Sequence, residues 1–329
     1  MKIALLFSPW RLPIIFTEKT LDQLRELGEV VIHDSDDLSE AAMTKTITGA
    51  DIVITSWGTP HLTEPVLQAA PDLKLVMHAA GTVKPVVTDA LWQRGIRVAA
   101  STKPLGIGVA ECALGFAISA SKNFYQVNAD IHNGGWNENR DKCKELYELT
   151  VGVIGGGFVG RHFMKLMGNF GVELLLYDPY LSEERAAALG AQKASLEELL
   201  TRSDIVSIHA PSIPETYHMF NADTLQLMKR DAILINTSRG SVLDEQALYE
   251  HMKAGNLKYA CLDVFDPEPP AADHPLRSLP NVIMTPHLAG LANNGKLRIG
   301  AHAVEEIRRF LQGEKLECEV RQEMLATMA

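Results

Sequence analysis

The chain has 329 residues, enough for two domains at roughly 100 to 200 residues each. Apolar residues make up 46% and charged residues 22%, the balance of a folded protein, so disordered and fibrous architectures are excluded. The 31 basic and 41 acidic side chains leave a net charge of −10, which repels polyphosphate and anionic lipid, and neither a nucleic-acid nor a membrane partner is expected.

Cys112, Cys143, Cys261 and Cys318 are far apart and form no Cys-x-x-Cys pair, which argues against a zinc site and a disulfide framework. Reduced, partly buried thiols and no metal are expected. The apolar N-terminal run meets Ser8-Pro9-Trp10-Arg11 too early for a signal segment, and no later stretch reaches the roughly 20 apolar residues of a membrane span. A cytoplasmic protein is the expectation.

In chain order, short runs rich in Val, Ile and Leu predict strands at 3–7, 30–33, 52–55, 73–77 and 96–99, with helices at 21–27, 38–47 and 89–94. The segment 108–120 is small and apolar on nearly every face and reads as a helix buried against others. The polar stretch 131–144, with Asn133-Gly134-Gly135-Trp136-Asn137, reads as an extended loop. A second set of strands follows at 149–154, 172–177, 205–209, 232–236, 259–264 and 282–284, and a last helix at 297–311 ends before Gly313, a C-cap residue. The pattern is α/β, with two doubly wound parallel sheets.

At the end of the strand 149–154 stands Gly155-Gly156-Gly157-Phe158-Val159-Gly160, a Gly-x-Gly-x-x-Gly pattern that opens a helical segment. It is followed by a second strand ending at Asp178, 21 residues after Gly157. Gly155 permits a tight turn, Gly157 lets backbone approach a pyrophosphate, and Gly160 lets helix pack on strand. Asp178 is placed to accept hydrogen bonds from ribose hydroxyls and to repel the extra phosphate of NADP, so the cofactor expected is NAD. The bland alternative is a simple turn and a strand that ends at Asp178-Pro179.

In an open parallel sheet, ligands bind beyond the carboxyl ends of the strands. Three ionisable residues stand just past such ends: Arg239 in Asn236-Thr237-Ser238-Arg239-Gly240, Glu268 after Asp263-Val264-Phe265-Asp266-Pro267, and His287 in Thr285-Pro286-His287. Each alone has an ordinary structural reading; the three together suggest convergence on one site.

With these motifs the chain resembles the D-isomer-specific 2-hydroxyacid dehydrogenase family over almost its whole length. The likeness extends to His209-Ala210-Pro211 with Thr216 further on, to Val109-Ala110-Glu111 and to Gly135-Trp136. It implies a Rossmann NAD-binding domain at 102–288, inserted into a smaller flavodoxin-like substrate domain of residues 1–101 plus 289–329. It also implies a homodimer with its contact in 102–150. The implied activity is hydride transfer between NAD(H) and a small 2-hydroxyacid or 2-oxoacid, in a cleft between the domains.

By the resemblance, Arg239 would hold the substrate carboxylate and reacting oxygen, His287 would act as acid and base, and Glu268 would hydrogen-bond His287 and fix its tautomer. Asp263 would contact the nicotinamide end, while Phe158, Val159, Ala210, Pro211, Thr216 and Thr237 would line the rest of the cofactor. His209 would contribute through its backbone or its side chain. On the substrate side stand Trp57 and Gly81-Thr82-Val83-Lys84-Pro85, which lacks the acidic residue usual in the family's loop. The backbone at Gly81, Thr82 and Val83 would bind the substrate carboxylate, and Lys84 a second anionic group. Two other readings follow from the same family. One is a formate-dehydrogenase-like activity, against which Glu268 stands, since such relatives carry glutamine there. The other is an NAD-sensing, corepressor-like scaffold.

Overall fold

A computed structural model describes residues 1–328, which divide into two compact units, Met1–Leu105 with Leu291–Met328, and Gly106–Gly290. The seams fall at 105/106 and 290/291, where the sequence reading set them at 101/102 and 288/289. The strands are β1 (Lys2–Leu6), β2 (Glu29–Ile32), β3 (Ile52–Thr55), β4 (Leu75–His78), β5 (Arg97–Ala100), β6 (Thr150–Ile154), β7 (Glu173–Tyr177), β8 (Gln192–Lys193), β9 (Ile205–Ile208), β10 (Ala232–Asn236), β11 (Leu257–Leu262), β12 (Val282–Met284) and β13 (Glu319–Val320).

The first unit is built on a six-stranded sheet in the order β13-β5-β4-β3-β1-β2, parallel except for β13, which runs antiparallel to β5. β3 and β4 are apolar along their length because both faces are covered. The two-residue side-chain period sends Ala4, Leu6, Val53 and Val76 to one core and Ile3, Leu5, Ile54 and Met77 to the other. The second core is closed by Ile299, Ala303, Val304 and Ile307 of the helix Asn293–Leu311. Each large aliphatic side chain so buried stabilises the fold by roughly 1.5 to 3 kcal/mol.

That helix also buries a carboxylate. Glu306 is fully enclosed and accepts hydrogen bonds from Arg309 Nη1 and from the amides of Glu317 and Cys318, each at 3.0 Å. The contact delivers β13 to the sheet. Ligand atoms of His302, Glu306 and Glu317 lie within 4.8 Å of one another, but Arg309 and Lys103 already pair with the carboxylates, so the group is an ion-pair network.

The second unit holds a seven-stranded parallel sheet in the order β12-β11-β10-β9-β6-β7-β8. The strand order reverses at β6, which pairs with β7 on one side and β9 on the other, the arrangement that opens a crevice at the carboxyl ends.

The structure departs from the sequence reading in several places. β8 and β13, two residues each, carry too little pattern to be seen. The helix predicted at 108–120 spans Thr102–Ser121, and at 20 residues it is long and apolar enough to cross a membrane, contrary to the expectation that no such stretch exists. Its Ala110, Ala113, Ala117 and Ala120 are buried in the core of the second unit, and Lys103 and Glu111 interrupt it. The start of the stretch expected as a loop lies in the helix Phe124–His132. Cys143 is exposed, whereas Cys112 and Cys318 are half-buried and Cys261 is buried.

Candidate active site

Six of the seven strands of the second unit end in segments that carry the candidate residues. β6 runs into the glycine turn. Gly155 has φ +94°, a region that disfavours side chains, and a Cβ there would lie 2.8 Å from the His209 carbonyl oxygen. A Cβ on Gly160 would sit 2.0 Å from the Gly155 carbonyl, so only hydrogen allows the helix Phe158–Met167 to start so close to its strand. A Cβ on Gly157 would meet nothing within 4 Å. The helix has no side-chain cap and no acidic residue in its first turn, which leaves its first amides and positive end available to an anion. Asp178, half-buried past β7, accepts from the Gly156 amide at 2.7 Å and the Tyr180 amide at 2.8 Å. About two of its acceptor sites remain.

Past β10, the Asn236 side chain shapes the loop: its Oδ1 accepts from the Ser238 amide (3.0 Å) and hydroxyl (2.8 Å), and its Nδ2 donates to the Arg239 carbonyl (2.9 Å). Arg239 is half-buried, and burial works against its charge while the Glu268 carboxylate favours it. Gly240 explains how these two segments meet. A Cβ on it would lie 2.0 Å from the Phe265 carbonyl carbon, so the two backbones touch.

Glu268 then receives the Phe265 amide on Oε1 (3.1 Å) and meets His287 Nδ1 with Oε2 at 2.7 Å. His287 sits at φ +49°, a left-handed conformation costly for a side chain. Its amide is held by the Asp263 and Thr285 carbonyls at 2.9 and 3.0 Å. The imidazole is about half exposed, its Nε2 free of protein partners among the described residues.

Asp263 directly follows β11. It is fully buried, and its carboxylate accepts from the Thr285 hydroxyl (2.5 Å) and the amides of Leu288 (2.9 Å) and Ala289 (2.8 Å). Its side chain therefore clamps the loop that carries His287. Thr216 is likewise committed, donating to the Pro211 carbonyl at 2.6 Å and closing its own turn. Pro211 is half-buried beside it and Ala210 is buried in the core. The Phe158 ring lies over Gly106, and Val159 packs at the edge of the core. The His209 ring lies against Phe163 with Nε2 at 2.9 Å from the Ser207 hydroxyl, and burial pushes its pKa down to about 3. Nδ1 of His209 and the Thr237 hydroxyl are buried without a partner.

In the first unit, Val83 is a core residue: its side chain is fully buried, and its carbonyl accepts from the amides of Val86 and Val87. Only its backbone could serve a ligand. Gly81, Thr82 and Lys84 are half-buried past β4, and the half-buried Trp57 packs against the core past β3. His78, at the end of β4, bonds the Thr55 hydroxyl at 2.9 Å; burial lowers its pKa to about 4, with the Thr82 backbone opposing the shift.

Residues 114–289 match the family model for the NAD binding domain of D-isomer specific 2-hydroxyacid dehydrogenase. The chain belongs to that family. The D-3-phosphoglycerate dehydrogenase of Methanocaldococcus jannaschii is 35% identical over 91% of this chain, and the glyoxylate reductase of Korarchaeum cryptofilum is 34% identical over 77%. The chain spans 57% of the first relative and 79% of the second. A protein of known structure from Thermus thermophilus is 31% identical, covers 98% of this chain over its own full length, and superposes with a TM-score of 0.78.

The cofactor of this D-2-hydroxyacid dehydrogenase family member is a nicotinamide dinucleotide. The local structure suits one: an uncapped helix start for phosphate, open space at Gly157, and a buried Thr237 hydroxyl lacking a partner. Sequence reasoning missed Asn236, Gly240 and Thr285 as the residues that hold the family's Arg, Glu and His segments in place. Asn236 carried a signal, since an Asn two residues before Ser at a strand end favours a side-chain turn. Thr285 carried none.

Proposed function

We propose that the protein is an NAD-dependent dehydrogenase that interconverts a small 2-oxoacid and its D-2-hydroxyacid. The observation that carries this reading is the 2.7 Å contact between Glu268 and His287 Nδ1, which fixes the imidazole with Nε2 as its open proton site. The dinucleotide, when bound, supplies or accepts the hydride at C2. In reduction, His287 Nε2 delivers a proton to the oxygen bound to C2, and in oxidation it takes that proton back. Arg239 holds the carboxylate and the reacting oxygen through its planar fork of donors. The backbone at Gly81, Thr82 and Val83 contributes to holding the carboxylate, and Lys84 adds a positive charge suited to a second anionic group. Asp178 selects NAD over NADP by charge.

Formate oxidation needs no proton carrier, so the Glu268–His287 pair speaks for the hydroxyacid reaction. We further propose a cytoplasmic homodimer that contacts its partner through 102–150.

The test is NADH oxidation against 2-oxoacids that span size and charge, with NADPH in parallel. Turnover with at least one acid, lost by about 10²- to 10⁴-fold in His287→Ala, is expected. Tight NADH binding with no turnover on any acid would replace this reading with a sensing scaffold.

A further inference from the structure

The carboxyl edge of the first sheet carries an unusual charge distribution. In a chain with 41 acidic residues, none stands in the segments that follow the central strands, 7–17 after β1, 56–63 after β3, 79–88 after β4 and 101–105 after β5. The acids that follow β2, Asp34, Asp36 and Asp37, lie at the outer edge of the sheet. The same acid-free segments hold Arg11, Lys84 and Lys103; both lysines are engaged, Lys103 with Glu317.

Arg11 is the distinctive member. Its guanidinium stacks over Trp10, 4.2 Å from the ring centroid, and Nη2 lies 3.7 Å from where a Cβ on Gly58 would be. The side chain thus reaches from the β1 segment over the β3 segment. It is half-buried and has no carboxylate partner among the described residues. A partly desolvated cation with a free edge of donors and no protein anion is suited to an anion that arrives from solution.

We infer that Arg11 is a specificity-determining residue that takes the distal anionic group of the substrate. The inference rests on the dehydrogenase reading above, in which the first carboxylate is held at Gly81, Thr82 and Val83 past β4. β3 adjoins β4, so the Arg11 head over Gly58 and that place lie past neighbouring strands, whose spacing is about 4.8 Å. Such a separation suits a four- or five-carbon 2-oxoacid ending in a carboxylate, or a short one ending in phosphate.

The test compares kcat/KM for oxaloacetate and 2-oxoglutarate with that for 2-oxobutyrate and 2-oxovalerate, their tail-neutral counterparts, with a phosphorylated three-carbon 2-oxoacid as a further arm. Wild type is expected to favour the best anionic-tailed acid at least tenfold. Arg11→Gln should bring that ratio to about one, mainly through KM, and Arg11→Lys should keep part of it. The Lys variant carries the test if the Gln variant does not fold. Without cofactor, titration with 2-oxoglutarate or the phosphorylated acid should change tryptophan emission in wild type and not in Arg11→Gln or Trp10→Phe. A wild-type ratio near one, or an equal loss on both substrate classes in Arg11→Gln, overturns the inference and leaves the dehydrogenase reading standing. No turnover of any 2-oxoacid overturns both.

Discussion

Arg239, Glu268 and His287 are held in place by residues that shape the loops around them. Gly240 lets the Arg239 backbone rest on the Phe265 carbonyl, and a methyl group there would intrude to 2.0 Å. Gly240→Ala is therefore expected to cost about 1 to 3 kcal/mol in a denaturant titration, and to lower kcat by moving Arg239 away from the Glu268 turn. Asp263 makes a sharper case, because its carboxylate is enclosed by donors from the His287 loop. Asp263→Ala should lower kcat at least tenfold while the dissociation constant for NADH, read by fluorescence, stays within about threefold. A large loss of NADH affinity with kcat kept would support the nicotinamide contact that the family resemblance implies for Asp263.

Among the elements, the strands put two imidazoles where they cannot readily ionise. His78 ends β4 with its pKa lowered from 6.5 to about 4, and His209 follows β9 with its pKa lowered from 6.5 to about 3. The unfolded chain takes up a proton below pH 6.5 that the fold refuses, so the stability these groups contribute is complete above about 6.5. It falls as the pH drops towards 4 and 3, by up to about 1.4 kcal/mol per pH unit for each imidazole. Urea midpoints at pH 7.5 and 5 should show this loss, and His78→Asn should show less of it; an unchanged pH difference would count against the neutral burial of His78. The long elements were legible because period and burial agree: β3, β10 and β12 lie where their apolar runs lie. β13 was not, since two residues, Glu319 and Val320, have no period, and their pairing with β5 is made by Glu306 some twelve residues upstream. At the site, the glycine turn and the Arg, Glu and His positions were legible from their places past strand ends. The enclosure of Asp263 and Val83 was not, because burial of one side chain depends on loops distant in sequence.

For the whole molecule, the first unit depends on its last segment. Glu306 is enclosed on the helix Asn293–Leu311 and holds the amides of Glu317 and Cys318. Its replacement by Ala leaves both amides without their acceptor and takes one carboxylate from Arg309, which keeps Glu305 and Glu317, and is expected to cost about 2 to 4 kcal/mol, with Glu306→Gln costing less. Hydrogen exchange should report the loss in β4, β5 and the helix Asn293–Leu311 before β9 or β10; uniform loss across both sheets would contradict it. The same dependence has a consequence for synthesis on the ribosome. All seven strands of the second unit have emerged once residue 284 is out, whereas the first unit still lacks the helix and strand that close it. The inserted unit can therefore be complete while β1 to β5, made before it, wait exposed for residues 291–320, at about 5 to 20 residues per second. Those five strands are synthesised ahead of the inserted unit and covered after it, and chaperones that shield apolar strands have that interval in which to act.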